Sequence, residues 1–366
     1  MTSAMDGAVS VDRIDTIEAF EAERERWEAL EARDPHATIF TSWRWLRVYF
    51  PIARYRWSIL VARRGREAVA YLPVSRGGSL IDRELYLGGN PVADYTGMVA
   101  LPDCGELAAS AFAVALHAEG WDGFNLNDVN DPRLEAVVQR LAERGLVVES
   151  TGETRCLSCT LPATWEAYIA ENISAKTRVN TLRVERRLAE ALPNFRISEP
   201  CDADIDEHVE AMIAVNHKRW GGNLKRAREK YGRLFRHAYD AGLLHMFVYW
   251  DGDKPIAGAS AFTDHLRSSF GLYMIGFDEA YDKLSPGKGI VGRAIRTAIE
   301  AGYERFDFLR GDEPFKARYA TEVTVTRHFR LTRPGLRAAA IAYLRPKWFA
   351  LKIAVANRVY GPGRTV

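Results

Sequence analysis

The stretch LSPGKGIVGRAI, Leu284 to Ile295, sets Gly287 and Gly289 on either side of Lys288, directly before residues spaced as one face of a helix. A helix start leaves about four backbone amides without intrahelical partners and points the positive end of its dipole outward, so it draws anions. Glycine at such a place lets a pyrophosphate reach the backbone, Pro286 stiffens the entry, and Lys288 adds a charge. A P-loop is excluded, because it needs a longer loop and a hydroxyl after the lysine, where Gly289 stands here. A dinucleotide fingerprint is excluded too, since the turn follows an antiparallel meander and not the first strand of a βαβ unit. By its own spacing the motif is open between a phosphate cradle and a plain strand-to-helix turn.

Other residues offer chemistry at lower specificity. RGDEPFK, Arg310 to Lys316, puts Asp312 and Glu313 where a strand ends, as proton acceptors or as exposed turn carboxylates. His217 and Trp220, in NHKRWGG, fall on an expected helix beside a glycine pair, as cleft-lining residues or as structural ones. Trp43 and Trp45 wall a cleft or fill a core, where large aromatics bury the most area. Cys156 and Cys159 form a CxxC, but TRCLSCTLP reads as a strand, whose odd spacing sends the two thiols to opposite faces. Cys104 and Cys201 are single, so no second ligand pair completes a zinc site. We expect reduced structural thiols and no metal.

The elements that must position these residues are clearest after Met246. MFVYW, IAGASAF and SSFGLYMIGF are three antiparallel strands joined by hairpins. Ile290, Val291, Ala294, Ile295, Ala298 and Ile299 then recur at helical spacing up to Gly302, and the strands RFDFLRG and EVTVTRHFRL follow. The first half echoes this order with WSILVA, EAVAYLPV, ELYLGG, a helix from Gly105 to Gly120, FNLND and a helix from Asp131 to Gly145. Where the second copy has SPGKG the first has GGNPVADYTG, so only the second is expected to hold a cofactor. The predicted fold class is α/β with mixed, mainly antiparallel sheets in two tandem domains, residues 10–150 and 151–335, and a helical tail over 336–366.

A length of 366 residues, 47% hydrophobic and 27% charged, suits two soluble domains with real cores. A net charge of +2 does not by itself mark a nucleic-acid binder. The helix ENISAKTRVNTLRVERRLAEALP carries Lys176, Arg178, Arg183, Arg186 and Arg187, as a solvated face or as the seat of an anionic partner. No run of about 18 apolar residues appears, and an acidic start lacks the order of a signal peptide, so a cytoplasmic location is expected.

FTSWRWLRVYF (Phe40 to Phe50), the Asp94–Tyr95 pair after GGNPVA, KTRVNTLRVERRL, YDKLSPGKG and FDFLRGDEPFKARYA together resemble the CelD-like, FemAB-related branch of the GNAT superfamily, in which two such domains sit in tandem. The resemblance spans about residues 10 to 335. It implies an N-acyltransferase that moves an acyl group from acyl-CoA to an amine acceptor, with Ser285, Pro286, Gly287, Lys288, Gly289 and Ile290 around the pyrophosphate. Backbone amides near Leu272 and Met274 would meet the oxyanion, at a bulge that Gly271 and Gly276 permit. Asp312 and Glu313 would serve as base, and Lys316, in a Phe-Lys pair like that of the Fem ligases, would steady negative charge. Asp94, Tyr95, Trp43, His217, Trp220 and Phe315 would face the acceptor, small or carrier-bound.

Two departures keep rivals open: Leu284 stands where Gln or Arg opens the turn, and the long helical hairpin of many Fem ligases is missing. One rival is an aminoacyl-tRNA-dependent transferase holding RNA on the basic helix. The other is a non-catalytic acyl-CoA- or partner-binding protein in polysaccharide or natural-product biosynthesis. No DNA partner is expected, and tandem domains fit a monomer or weak homodimer.

Overall fold

The structure is a computed structural model and describes residues 9–79, 82–335, 340, 343 and 344. Apart from those last three positions, the tail expected over 336–366 lies outside the described residues. The chain divides into two compact units, the first formed by residues up to Trp43, by Ala53–Glu153 and by the chain from Thr326, the second by Arg44–Ile52 and Thr154–Val325.

The first unit opens with β1 (Val9–Ile14), α1 (Ile17–Ala22) and α2 (Arg24–Glu31), followed by α3 (Trp43–Tyr49), of which only Trp43 belongs here. The meander β2 (Arg56–Arg64), β3 (Glu67–Ser79) and β4 (Asp82–Leu87) comes next, then short β5 (Val99–Ala100), α4 (Gly105–Ala118), β6 (Gly123–Val129) and α5 (Pro132–Glu143). Neighbouring strands run β1-β2-β3-β4-β6, antiparallel except for the parallel pair β4–β6. Alternating Leu72, Val74, Leu85, Phe124 and Leu126 meet Phe112 and Leu116 of α4 and Leu134 and Leu141 of α5 in one core.

The second unit takes β7 (Val147–Thr160) from Thr154 onward, then α6 (Trp165–Glu171), α7 (Ala175–Ala191), β8 (Phe195–Ser198), α8 (Ile205–Trp220) and α9 (Leu224–Asp240). The three strands read from the sequence are β9 (Leu244–Asp251), β10 (Lys254–Asp264) and β11 (Ser269–Phe277), antiparallel to one another. α10 (Pro286–Glu300), β12 (Arg305–Arg310) and β13 (Glu322–Thr332) complete the order. The sheet runs β7-β12-β11-β10-β9-β8. The stripe Ile290, Val291, Ala294, Ile295, Ala298 and Ile299 is buried on α10, as its spacing requires.

The sequence reading gives everything from 151 to 335 to the second half, but from Thr326 the chain belongs to the first unit. β13 pairs antiparallel with β6, from Arg327↔Val129 to Thr332↔Gly123. A pairing across such a sequence separation leaves no local periodicity to read. It also brings the Arg330 guanidinium onto both oxygens of Glu84, at 2.9 and 3.0 Å. Burial alone would raise the Glu84 pKa, but hydrogen bonds from Arg330 and Asn125 outweigh it and hold the carboxyl at about 2. A pKa depressed in the folded state contributes stability that is complete above the ordinary value of 4.5 and is lost as pH falls from there toward about 2. We expect Glu84→Gln to lower the melting temperature at pH 7, by on the order of 2 kcal/mol in stability. The gap to the native protein should close below pH 3, and thermal melts across that range check it.

Cys104, Cys156 and Cys159 are buried, Cys201 is exposed, and all four are free thiols. Burial pushes the Cys159 thiol up to about 12, which leaves it protonated and unreactive. Among the described residues no group of three or more His, Cys, Asp or Glu could hold a metal ion, and no helix is long and apolar enough to cross a membrane.

Candidate active site

The site begins with an interruption of the sheet. β11 and β12 pair in parallel at Ser269↔Arg305, Phe270↔Phe306 and Gly271↔Asp307, and the ladder ends there. On its other edge β11 slips register against β10: Ser260 faces Met274 and Ala261 faces Leu272, which leaves Tyr273 as the extra residue of a bulge. A bulge bends its strand and increases its twist, which turns the C-terminal half of β11 away from β12. Leu272 and Met274, expected on either side of such a bulge, are buried there.

The turn from β11 to α10 is pinned on several sides. Asp278 caps it, accepting from Ala280 N at 3.1 Å, from Lys218 Nζ at 2.7 Å, and pairing with Lys254 Nζ at 3.2 Å. Burial would raise the Asp278 carboxyl, and these partners instead bring it below its usual range. Tyr281 Oη donates to Asp251 at 2.9 Å, and Arg187 donates to the Lys283 carbonyl at 2.9 Å. Ser285 is thereby held at φ 58°, a left-handed conformation that lets a 3-10 turn end and α10 begin within one residue. Leu284 packs into the apolar core of the unit, which accounts for an apolar residue there.

A cavity of about 270 Å³ opens at this point. Its walls are Ile275, Gly276 and Phe277 of β11, Ser285, Gly287, Lys288, Ile290 and Val291 at the start of α10, and Phe315, Arg318 and Tyr319 after β12. Arg219, Trp220 and Asp282 complete it. The guanidinium of Arg219 stands 5.0 Å from the Trp220 ring and 5.2 Å from the Phe277 ring, and donates to Glu279 at 3.1 Å. Trp220 Nε1 donates to the Ile275 carbonyl at 3.3 Å, so the ring is fixed although the residue is 50% exposed. A helix N-terminus, Lys288, Arg219 and Arg318 bring positive potential to the cavity against the single carboxylate of Asp282, and Ile275, Ile290, Val291 and Phe315 give it apolar lining.

The glycines divide their work differently from the sequence expectation. Gly287 lies at the cavity wall, where a β-carbon would stand 2.9 Å from the Phe277 ring. Gly289 is turned away: its β-carbon would meet Val184 of α7 at 2.7 Å, and that of Gly292 would meet Thr181 at 2.2 Å. Their missing side chains let α10 and α7 pack closely, a task that a lone x-x-G-x-G pattern does not distinguish from phosphate binding.

The three residues expected to do the chemistry are not at the cavity wall. Asp312 is exposed and faces Arg155 at 3.8 Å. Lys316 is 6% exposed, and its ammonium reaches the carbonyls of Arg310 at 2.7 Å and Gly311 at 3.1 Å and the Glu313 carboxylate at 2.9 Å. Two of its protons are given to backbone carbonyls and the third faces the Glu313 carboxylate as an ion pair, so Lys316 fastens the turn after β12. His217 is not among the residues lining the cavity, and its Nδ1 lies 3.1 Å from the Gly221 carbonyl at the end of α8. In the first unit Trp43 Nε1 donates to the Phe20 carbonyl at 3.2 Å and its ring stacks on Phe20 at 5.4 Å, a core position. Asp94 and Tyr95 are buried in that unit as well, and Trp45 is fully buried.

Of the residues named from the sequence, the cavity gathers Ser285, Gly287, Lys288, Ile290, Trp220 and Phe315. Arg318 and Tyr319 were missed. Their signal is the spacing of Phe315, Arg318 and Tyr319, three and four apart, which one turn of 3-10 helix turns to one side. Tyr319 is buried, its Oη 3.2 Å from Thr181 Oγ1, and burial raises its phenol above the ordinary value.

A strand bulged and parted from its parallel neighbour, with a helix N-terminus at the opening, defines a GNAT-type acyltransferase domain. The family profile described as Acetyltransferase (GNAT) domain matches residues 175–317, so the chain carries a GNAT-type domain over that stretch. No sequence among the curated proteins matches the chain. Of the solved structures, FemX is similar over 91% of this chain and 99% of its own, at 11% identity and a TM-score of 0.62. A tandem GNAT protein from the clavulanic acid biosynthesis pathway is similar over 89% and 99%, at 11% identity and 0.52. L-PGS from Bacillus licheniformis is similar over 88% and 96%, at 12% identity and 0.51. At such identities the likeness is one of fold alone.

Proposed function

We propose that this acyltransferase takes its acyl group from acyl-CoA and passes it to an amine. The observation that carries the reading is the cavity where β11 leaves β12: a first turn of α10 with Gly287 at the wall, Lys288 and Arg318 beside it, and an apolar lining beyond. The pyrophosphate would lie against the amides of Ser285 to Ile290 and the pantetheine arm along Ile275 to Phe277, with the thioester toward the Leu272–Met274 bulge. In the transfer the amine nitrogen attacks the thioester carbonyl, a C–N bond forms, the C–S bond breaks and the thiolate leaves; the proton the nitrogen loses restores the one the thiolate takes up. Tyr319, protonated at neutral pH because burial raises its pKa, is our candidate for the group that gives the thiolate a proton. A space of about 270 Å³ suits a thioester arm of coenzyme A.

Titration calorimetry with acetyl-CoA and longer acyl-CoA thioesters tests the donor, and thiol release with a panel of amines tests the transfer. For Tyr319→Phe we expect turnover to fall by roughly a hundredfold with donor affinity within about twofold of the native protein, as for removal of a general acid. No heat of binding with any acyl-CoA would refute the donor assignment, and unchanged turnover in Tyr319→Phe would remove the phenol from the mechanism.

A further inference from the structure

The two faces of α7 have different chemistry. Its inner side is ordinary core: Thr181, Val184 and Leu188 are buried, with Thr181 and Val184 against the glycines of α10. Its outer side keeps two aliphatic residues in solvent, Val179 at 42% and Leu182 at 50% exposure. Around them stand exposed Lys176, Arg183 and Arg186. Positions 176, 179, 183 and 186 are three or four apart and stack along one face. Among the described residues the side chain of Arg186 pairs only with exposed Glu190, at 3.4 Å, a surface pair of little energetic consequence. Glu185, the other nearby acid, is already neutralised by a two-pronged bond from Arg293 at 2.7 and 2.8 Å.

A cationic helix face can meet RNA, an acidic segment of protein, or an anionic lipid surface, and the two aliphatic residues decide among them. Sites for single-stranded RNA place aromatic rings between their cations, because unpaired bases stack on rings, and Val179 and Leu182 offer none. A bilayer interface uses both chemistries at once, headgroup phosphates taking the cations and the acyl boundary taking the aliphatic chains. We infer that the outer face of α7 docks on an anionic lipid surface. The contact is peripheral and does not depend on which acyl donor the enzyme uses.

Sedimentation of the full chain with vesicles of phosphatidylcholine, alone or with about one-third phosphatidylglycerol, tests this at low salt. The native protein should pellet with the anionic vesicles only, and added salt should release it. Each cation near a charged membrane changes the partition coefficient about fivefold, so Arg183→Ala with Arg186→Ala should lower it roughly twenty-five-fold. Val179→Ser with Leu182→Ser should lower it several-fold at unchanged charge, with both variants melting as the native protein does. If the arginine variant fails to fold, the Val179/Leu182 pair gives the same reading. Equal pelleting with neutral vesicles, undiminished binding by the folded variants, or retention of RNA lost in the arginine variant but kept in the Val179/Leu182 variant would each overturn the proposal.

Discussion

Gly287→Trp is expected to abolish acyl-CoA binding while the chain stays folded. A β-carbon at 287 already stands 2.9 and 3.0 Å from two atoms of the Phe277 ring, so the indole has no path toward β11 and must enter the cavity. With about 270 Å³ available, an indole at the first turn of α10 takes the place of the ligand and covers the helix amides that would meet its phosphates. We expect at least a hundredfold rise in the dissociation constant by calorimetry. The melting temperature should move by only a few degrees, because position 287 lies at the half-buried start of the helix, away from the stripe that anchors it. Gly287→Ala is the informative companion: one carbon requires a shift of a few tenths of an ångström from a ring end, and affinity should fall only a few-fold. Native affinity in the tryptophan variant would show that donor binding occurs elsewhere.

Gly276→Val is expected to destabilise the second unit by at least about 4 kcal/mol, the range reached only by severe steric or burial errors. Here the obstruction is backbone. An added β-carbon would stand 2.3 Å from Asn216 N, 2.4 Å from Asn216 Cα and 2.5 Å from Val215 C, none of which a rotamer change can relieve. α8 would have to lift off β11, and the bonds from Asn216 Nδ2 at 2.8 Å and Trp220 Nε1 at 3.3 Å to the Ile275 carbonyl would go with it. A drop of roughly 10 °C or more in the melting temperature, or loss of soluble protein, is the expected result. Gly232→Ala, on α9 with nothing within 4 Å, is the control and should be neutral or slightly stabilising. If Gly276→Val melts with the native protein, the close approach of α8 to β11 does not exist in solution.

Both predictions concern glycines, and the glycines also mark where sequence reading stops. Gly287 and Gly289 look equivalent in LSPGKGI, yet one faces a cavity and the other faces Val184. Which way a missing side chain points depends on what packs against the helix, and the packing partner, α7, lies about a hundred residues earlier in the chain. Gly276 gave a correct reason for suspecting an irregular strand, but its tighter constraint comes from α8. Lys316 is the same lesson in electrostatics: the Phe-Lys pair suggested a charge held ready for chemistry, and the fold buries the ammonium against the carbonyls of Arg310 and Gly311, with the Glu313 carboxylate 2.9 Å away.

What the sequence determined by itself is local. Short apolar runs bounded by turns made β9, β10 and β11, the stripe from Ile290 to Ile299 made one side of α10, and Pro286 with Gly302 set its ends, because each rests on interactions within a few residues. The anion-attracting helix start was legible for the same reason. The tertiary structure alone decided which strands part, which of the candidate side chains reach the opening, and that Arg318 and Tyr319 replace Asp312, Glu313 and Lys316 at its wall. It also decided that β13 closes against β6 and not within the second half. Those outcomes are set by side chains competing for the same space and the same hydrogen-bond partners across long separations in the chain, and no local pattern of residues encodes the result.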